Sequence, residues 1–62
     1  MLIRKIERFL RETGMPPTVF GREAMRDPRF VADLRRGREP GGKTEARVEH
    51  FMTTQREGHN AN

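Results

Sequence analysis

Prolines and glycines cut this chain into four short pieces. Pro16-Pro17, Pro28 and the run Pro40-Gly41-Gly42 interrupt the 62 residues at intervals too close for any long helix before Gly42. A proline inside a helix removes a hydrogen bond and clashes with the preceding turn, so helices end or restart at these points. A chain this short is one domain at most, and it buries only about 60% of the surface its unfolded form exposes. It contains no cysteine, so no disulfide or thiolate metal site helps it. Its stability must come from one small core to which every piece contributes.

The pattern within each piece is helical. Leu2, Ile3, Ile6, Phe9 and Leu10 recur at spacings of three and four, with Arg4, Lys5, Glu7, Arg8, Arg11 and Glu12 on the other face. That predicts a first helix over 2–12, stopped at Gly14. A second, shorter helix is predicted over 18–25, with Pro17 suited to its first turn and Val19, Phe20 and Ala24 on its apolar side. Gly21 falls inside it, where glycine costs on the order of 1 kcal/mol relative to alanine. Close approach of another helix is the reason expected for that glycine.

Asp27 reads as an N-cap and Pro28 as the first residue of a third helix, running to about Arg36 with Val31 and Leu34 inward and Gly37 as its stop. Pro40-Gly41-Gly42 reads as a loop. Thr44 is the predicted N-cap of a fourth helix over 45–55, with Val48, Phe51 and Met52 inward. The fold class expected is all-α, a compact bundle of about four helices. Its predicted core is Ile3, Ile6, Leu10, Phe20, Ala24, Val31, Leu34, Val48 and Phe51, joined by Phe9 and Met52. Phe30 lies on neither the core line nor the opposite face, and packing against the first or fourth helix is expected for it. Residues 1–56 form the expected domain, and 57–62 an expected disordered tail.

The charge is uneven. Net charge is +4, eleven of the thirteen basic residues are arginine, and residues 1–44 alone carry +5. Arginine's planar fork suits phosphate and guanine edges, so a basic half of this kind points first to nucleic acid. Tyr and Trp are absent and Phe occupies apolar-stripe positions, which leaves little for stacking on unpaired RNA bases. His50 and His59 are nine apart, with no carboxylate at a ligand-like spacing, and read as surface histidines. No Ser-His pairing, carboxylate pair or phosphate loop offers a catalytic mechanism, so neither enzyme activity nor a cofactor is expected. Charges interrupt Met1-Leu2-Ile3-Arg4-Lys5-Ile6 before an apolar run forms, and no stretch approaches the roughly 18 apolar residues of a membrane span. A cytoplasmic protein is expected.

Phe20 to Pro40 resembles the helix-turn-helix of the lambda-repressor-like (Cro/Xre-type) DNA-binding regulators, of the small bacterial or phage-associated kind. Phe20-Gly21 matches the family's large-then-small pair, Ala24 its small residue at the end of the first motif helix, and Val31 and Leu34 its two inward positions three apart. Gly37 and Pro40 match the glycine and proline that follow. The resemblance covers roughly residues 2–56. The chain departs from it at Met25, near the family's turn glycine, and at Pro17, where many members carry a phosphate-contacting glutamine. The family's fifth, dimer-forming helix also has little sequence left for it. The turn would then be made by Met25-Arg26-Asp27 without a glycine.

The resemblance implies that the exposed side of the third helix enters the major groove of double-stranded DNA. Arg29, Ala32, Asp33 and Arg36 are the base-contact candidates it gives. Arg29 would take guanine, Ala32 a thymine methyl or close backbone approach, and Asp33 a cytosine amine. For Asp33 a one-turn ion pair with Arg29 or Arg36 is the favoured alternative. Thr18, Arg22, Arg26, Arg35, Arg38 and Lys43 are the phosphate-contact candidates. Sequence-specific DNA binding as a transcriptional regulator, most simply a repressor, is the function expected. Half-sites about one helical turn apart would imply a homodimer. The alternative is an adaptor that binds another protein, as an antitoxin or anti-repressor does, through Phe30 or the fourth helix.

Overall fold

The computed structural model describes residues 1–60, with side chains through residue 57. Four helices follow one another: α1 (Leu2–Thr13), α2 (Pro17–Met25), α3 (Phe30–Arg35) and α4 (Gly42–Asn60). There is no strand among the described residues. The all-α expectation therefore holds. The first three helices are short because the breaks between them are local and strong.

Three of the helices end in the same way. Gly14 enters the left-handed region at φ 73°, and its N–H returns to the Leu10 carbonyl at 2.8 Å. Thr13 reinforces that end, its hydroxyl donating to the Phe9 carbonyl and accepting from the Met15 N–H. Gly37 does the same for α3 at φ 105°, where its N–H donates to Leu34 O and that of Arg38 to Asp33 O, both at 3.1 Å. This double return is the Schellman arrangement. At the end of α2 the left-handed residue is Arg26, φ 55° and ψ 32°, its N–H donating to Arg22 O at 2.9 Å. A side chain in that region costs roughly 1–2 kcal/mol, which the other two ends avoid with glycine. The turn is thus made without glycine, as the sequence requires.

Between α2 and α3 the chain is pinned tightly. Asp27 N–H donates to Gly21 O at 3.1 Å, and Asp27 O accepts from Phe30 N–H at 3.0 Å. The Asp27 carboxylate accepts the Arg29 N–H at 3.0 Å. Asp27 therefore caps the turn of Pro28 and Arg29 and not α3 itself, whose N-cap is Arg29 without a side-chain cap bond. The helix starts two residues later than predicted, because Pro28 and Arg29 form a turn rather than helix. Gly21 is buried at the centre of this junction. A Cβ there would collide with the Asp27 carbonyl oxygen and lie 3.2 Å from Phe30 Cβ. The close approach expected at Gly21 is real, and it is made by the backbone of the turn.

One core joins all four helices. Leu2, Ile6, Phe9 and Leu10 of α1, Phe20 and Ala24 of α2, Phe30, Val31 and Leu34 of α3, and Val48 and Met52 of α4 are buried together. Phe20 stands at its middle, edge-on to Phe9 at 5.5 Å and to Phe51 at 5.3 Å between ring centroids. Aromatic pairs favour this edge-to-face geometry.

Phe30, for which packing inside the protein is expected, is a core residue, 2% exposed, because it opens α3 directly against the Gly21 gap. Three expectations change. Ile3 and Phe51 are only partly buried, and Leu2 takes the inner position on the first turn. α4 begins at Gly42 rather than Glu45, since Gly41 O already accepts the Glu45 N–H at 3.0 Å and Thr44 is left inside the first turn. Its backbone also continues past Gln55 to Asn60, so residues 57–60 of the predicted tail are helical. Residues 61–62 of that tail lie outside the described residues.

Candidate nucleic-acid interface

α3 presents two faces with opposite roles. Phe30, Val31 and Leu34 point into the core. Arg29, Ala32, Asp33 and Arg36, spaced at i, i+3, i+4 and i+7, line one depression on its outer side. All four base-contact candidates therefore share a single surface. Helical spacing puts Ala32 and Asp33 there, the caps Arg29 and Arg36 join them because both keep αR backbone, and the buried stripe decides that this side is the one facing out.

Thr18, Arg22 and Arg26 follow one another four residues apart along α2 and into its left-handed cap. All three are exposed. Thr18 and Arg22 share one side of that helix, and Arg26 stands in the turn that ends it. Lys43 is exposed in the first turn of α4. Among the described residues, none of Arg22, Arg26, Arg29, Arg36 and Lys43 is in an ion pair.

Three candidates, Arg35, Asp33 and Arg38, are engaged within the protein. Arg35 holds Glu7 of α1 with both arms of its guanidinium, Nε to Oε2 at 2.7 Å and Nη2 to Oε1 at 2.8 Å. It follows Val31 by four, so it lies beside the buried stripe and reaches α1 rather than standing free for phosphate. Asp33 pairs with Arg38, Oδ2 to Nη1 at 3.3 Å, and not with Arg29 or Arg36. The Schellman turn brings Arg38 back alongside α3, where it outcompetes the one-turn neighbours.

The Glu7–Arg35 fork is one of the pairs that the sequence does not announce. Its members are 28 positions apart, and nothing in either stretch signals the other. The hydrogen bonds from Arg35 hold the Glu7 carboxyl below the ordinary glutamate value, against a smaller opposing effect of desolvation and with help from the charges of Arg35 and Arg11. Such a carboxylate stabilises the fold above the unfolded-state pKa, and that stability is lost as pH falls through the lower folded value. Glu7→Gln should therefore be less stable than the parent at neutral pH. The gap should close as both are acidified, since every other carboxylate titrates in both proteins. Urea midpoints from neutral to acid pH check this, and a gap independent of pH would remove the ion pair from the account.

Further ion pairs tie α1 to α4: Lys5 to Glu49 at 3.2 Å and Arg56 to Glu12 at 3.1 Å. The Arg56 guanidinium also lies 5.4 Å from the centroid of the Phe9 ring. These exposed pairs add little individually. Arg4 and Arg11 of α1 and Arg47 of α4 are, among the described residues, in no ion pair either. Among the described residues, no three His, Asp or Glu side chains are placed to hold a metal ion. His50 is exposed, while the His59 side chain lies outside the described residues. No helix among the described residues is long and apolar enough to cross a membrane.

Comparisons with protein-family models, curated proteins and solved structures gave no match to this chain. The fold and the site define a small four-helix protein whose third helix buries one side and exposes a basic, concave other.

Proposed function

We propose that this protein binds double-stranded DNA in a sequence-specific way through α2, the Arg26 turn and α3, and acts as a transcriptional regulator, most simply a repressor. The observation that carries the reading is the outer side of α3. There Arg29 and Arg36 flank Ala32 in one depression, free of ion pairs among the described residues, while the opposite side is locked into the core. A rigid helix offering unpaired arginine forks is what guanine edges in a major groove require. Thr18, Arg22 and Arg26 supply contacts to the backbone, which orient the protein without reading sequence. Lys43 joins that set. Arg35 leaves it, being held by Glu7.

The adaptor alternative offered two surfaces, Phe30 or the fourth helix, and the first of them is buried. Occupancy of DNA requires neither cofactor nor catalysis, and two copies on adjacent half-sites would add the phosphate contacts that one small domain lacks.

The test is selection from a random duplex library at two salt concentrations, with the recovered DNA sequenced. An enriched motif is expected, with affinity falling as salt rises. Arg29→Ala should weaken binding to the selected site by about 1–3 kcal/mol and relax preference at one base pair. Unchanged binding of Arg29→Ala to every duplex would sink the groove assignment. Absence of binding at the lower salt would redirect the search to protein partners.

A further inference from the structure

Arg38 lies three residues beyond the last helical residue of α3, yet it is folded back onto that helix twice over. Gly37 at φ 105° reverses the chain, and the Arg38 N–H then donates to the Asp33 carbonyl at 3.1 Å. Independently, the Arg38 side chain donates through Nη1 to Asp33 Oδ2 at 3.3 Å. Asp33 is one of the four residues lining the outer depression of α3. A carboxylate in that lining is therefore occupied by a cation from the following turn, and the cation is brought to the rim of the surface that carries Arg29 and Arg36.

We propose that Asp33 is a positioning residue, which holds Arg38 at the rim of the α3 face as a third base-reading arginine, with guanine as its partner. This rests on the DNA-binding reading above. The chemistry follows from the geometry of the fork. Asp33 engages Nη1 alone, which leaves the Nε and Nη2 edge of the guanidinium open. Two parallel donors of that kind match the O6 and N7 acceptors of guanine. Arginine carries rotamer freedom that must be lost on binding, and a guanidinium already held by a carboxylate has lost part of it before DNA arrives. In this arrangement Asp33 spends Oδ2 on Arg38 and serves that arginine rather than a cytosine amine. Arg38 moves from the residues that touch the backbone to those that read sequence.

The same duplex selection tests this when run on the parent and on Arg38→Ala, Arg38→Lys, Asp33→Asn and the double variant Asp33→Asn/Arg38→Ala. Thermal midpoints recorded alongside confirm that each is folded at the assay temperature. The expected result is that one guanine of the parent motif loses roughly tenfold or more of its discrimination in Arg38→Ala, and part of that in Asp33→Asn. The double variant should be no worse at that position than Arg38→Ala. Arg38→Lys should lose the guanine preference while retaining the parent's salt dependence, because it keeps the charge and lacks the fork. A uniform loss of affinity in Arg38→Ala with the motif intact overturns the proposal and makes Arg38 a phosphate contact. So does a cytosine position altered by Asp33→Asn and untouched by Arg38→Ala, which makes Asp33 a direct reader. A parent that enriches no motif overturns the DNA-binding reading itself, and this inference with it.

Discussion

Gly21→Ala lowers the unfolding midpoint by about 10 °C, from a loss of about 2 kcal/mol at roughly 4–8 °C per kcal/mol in a domain of this size. Two effects oppose each other. Alanine favours a helix interior by about 1 kcal/mol over glycine. Against that, its Cβ would collide with the Asp27 carbonyl oxygen and press on Phe30 Cβ at 3.2 Å. The carbonyl cannot swing aside cheaply. It accepts the Phe30 N–H at 3.0 Å, and its own residue's N–H is bound to Gly21 O at 3.1 Å. Relief requires the α2–α3 junction to open, which unseats Phe30 from the core and tilts the outer face of α3. The steric term therefore wins. Circular dichroism melts measure the shift, and a midpoint that rises would show that propensity governs and that the turn yields freely. Any fall in affinity for a selected duplex should track the same displacement of α3.

Phe20→Ala removes most of the folded state. The ring is fully buried and stands edge-on to Phe9 and Phe51, so it joins α1, α2 and α4 at one point. Truncating a buried phenylalanine costs about 3–5 kcal/mol through lost transfer energy and the cavity left behind. A chain of 62 residues has a total stability of about 3–9 kcal/mol at roughly 0.05–0.15 kcal/mol per residue. The loss is thus comparable to the whole. Helical circular dichroism at 25 °C should fall toward the unfolded baseline, whereas Phe20→Leu should keep a cooperative but lower transition. A cooperative melt for Phe20→Ala near that of the parent would mean the core closes without this ring.

The helices were legible because their stripes are regular. Ile6, Phe9 and Leu10, or Val31 and Leu34, recur at spacings that only a helix places on one side, and Gly14 and Gly37 mark ends where a left-handed residue is needed. The start of α4 was misplaced because Thr44 has the better capping side chain. Gly41, a residue also tolerated at that position, lets the helix begin two residues beyond Pro40. Phe30 was ambiguous for a related reason. Its depth depends on the turn before it, where Pro28 and Arg29 are not helical, and periodicity carries no information about a turn.

The candidate interface divides in the same way. That Ala32 and Asp33 share a side follows from their spacing, and the caps Arg29 and Arg36 join them because both keep αR backbone. That the side faces outward follows from the apolar stripe opposite. Neither Glu7 holding Arg35 nor Asp33 holding Arg38 could be read ahead of the structure. The first pair spans 28 positions across two helices, and the second exists because a left-handed glycine reverses the chain.

By itself, then, the sequence determined the helical class, the breaks between helices, and which side of each helix is apolar. Those properties arise from interactions within a few residues, where spacing along the chain and distance in space are nearly the same thing. Only the tertiary structure decided how deep Phe30 lies, why Gly21 has no room for a side chain, and which arginines are spent on internal carboxylates. Those depend on where separate helices meet, and two charges settle on each other according to distance in the folded molecule, whatever their separation along the chain.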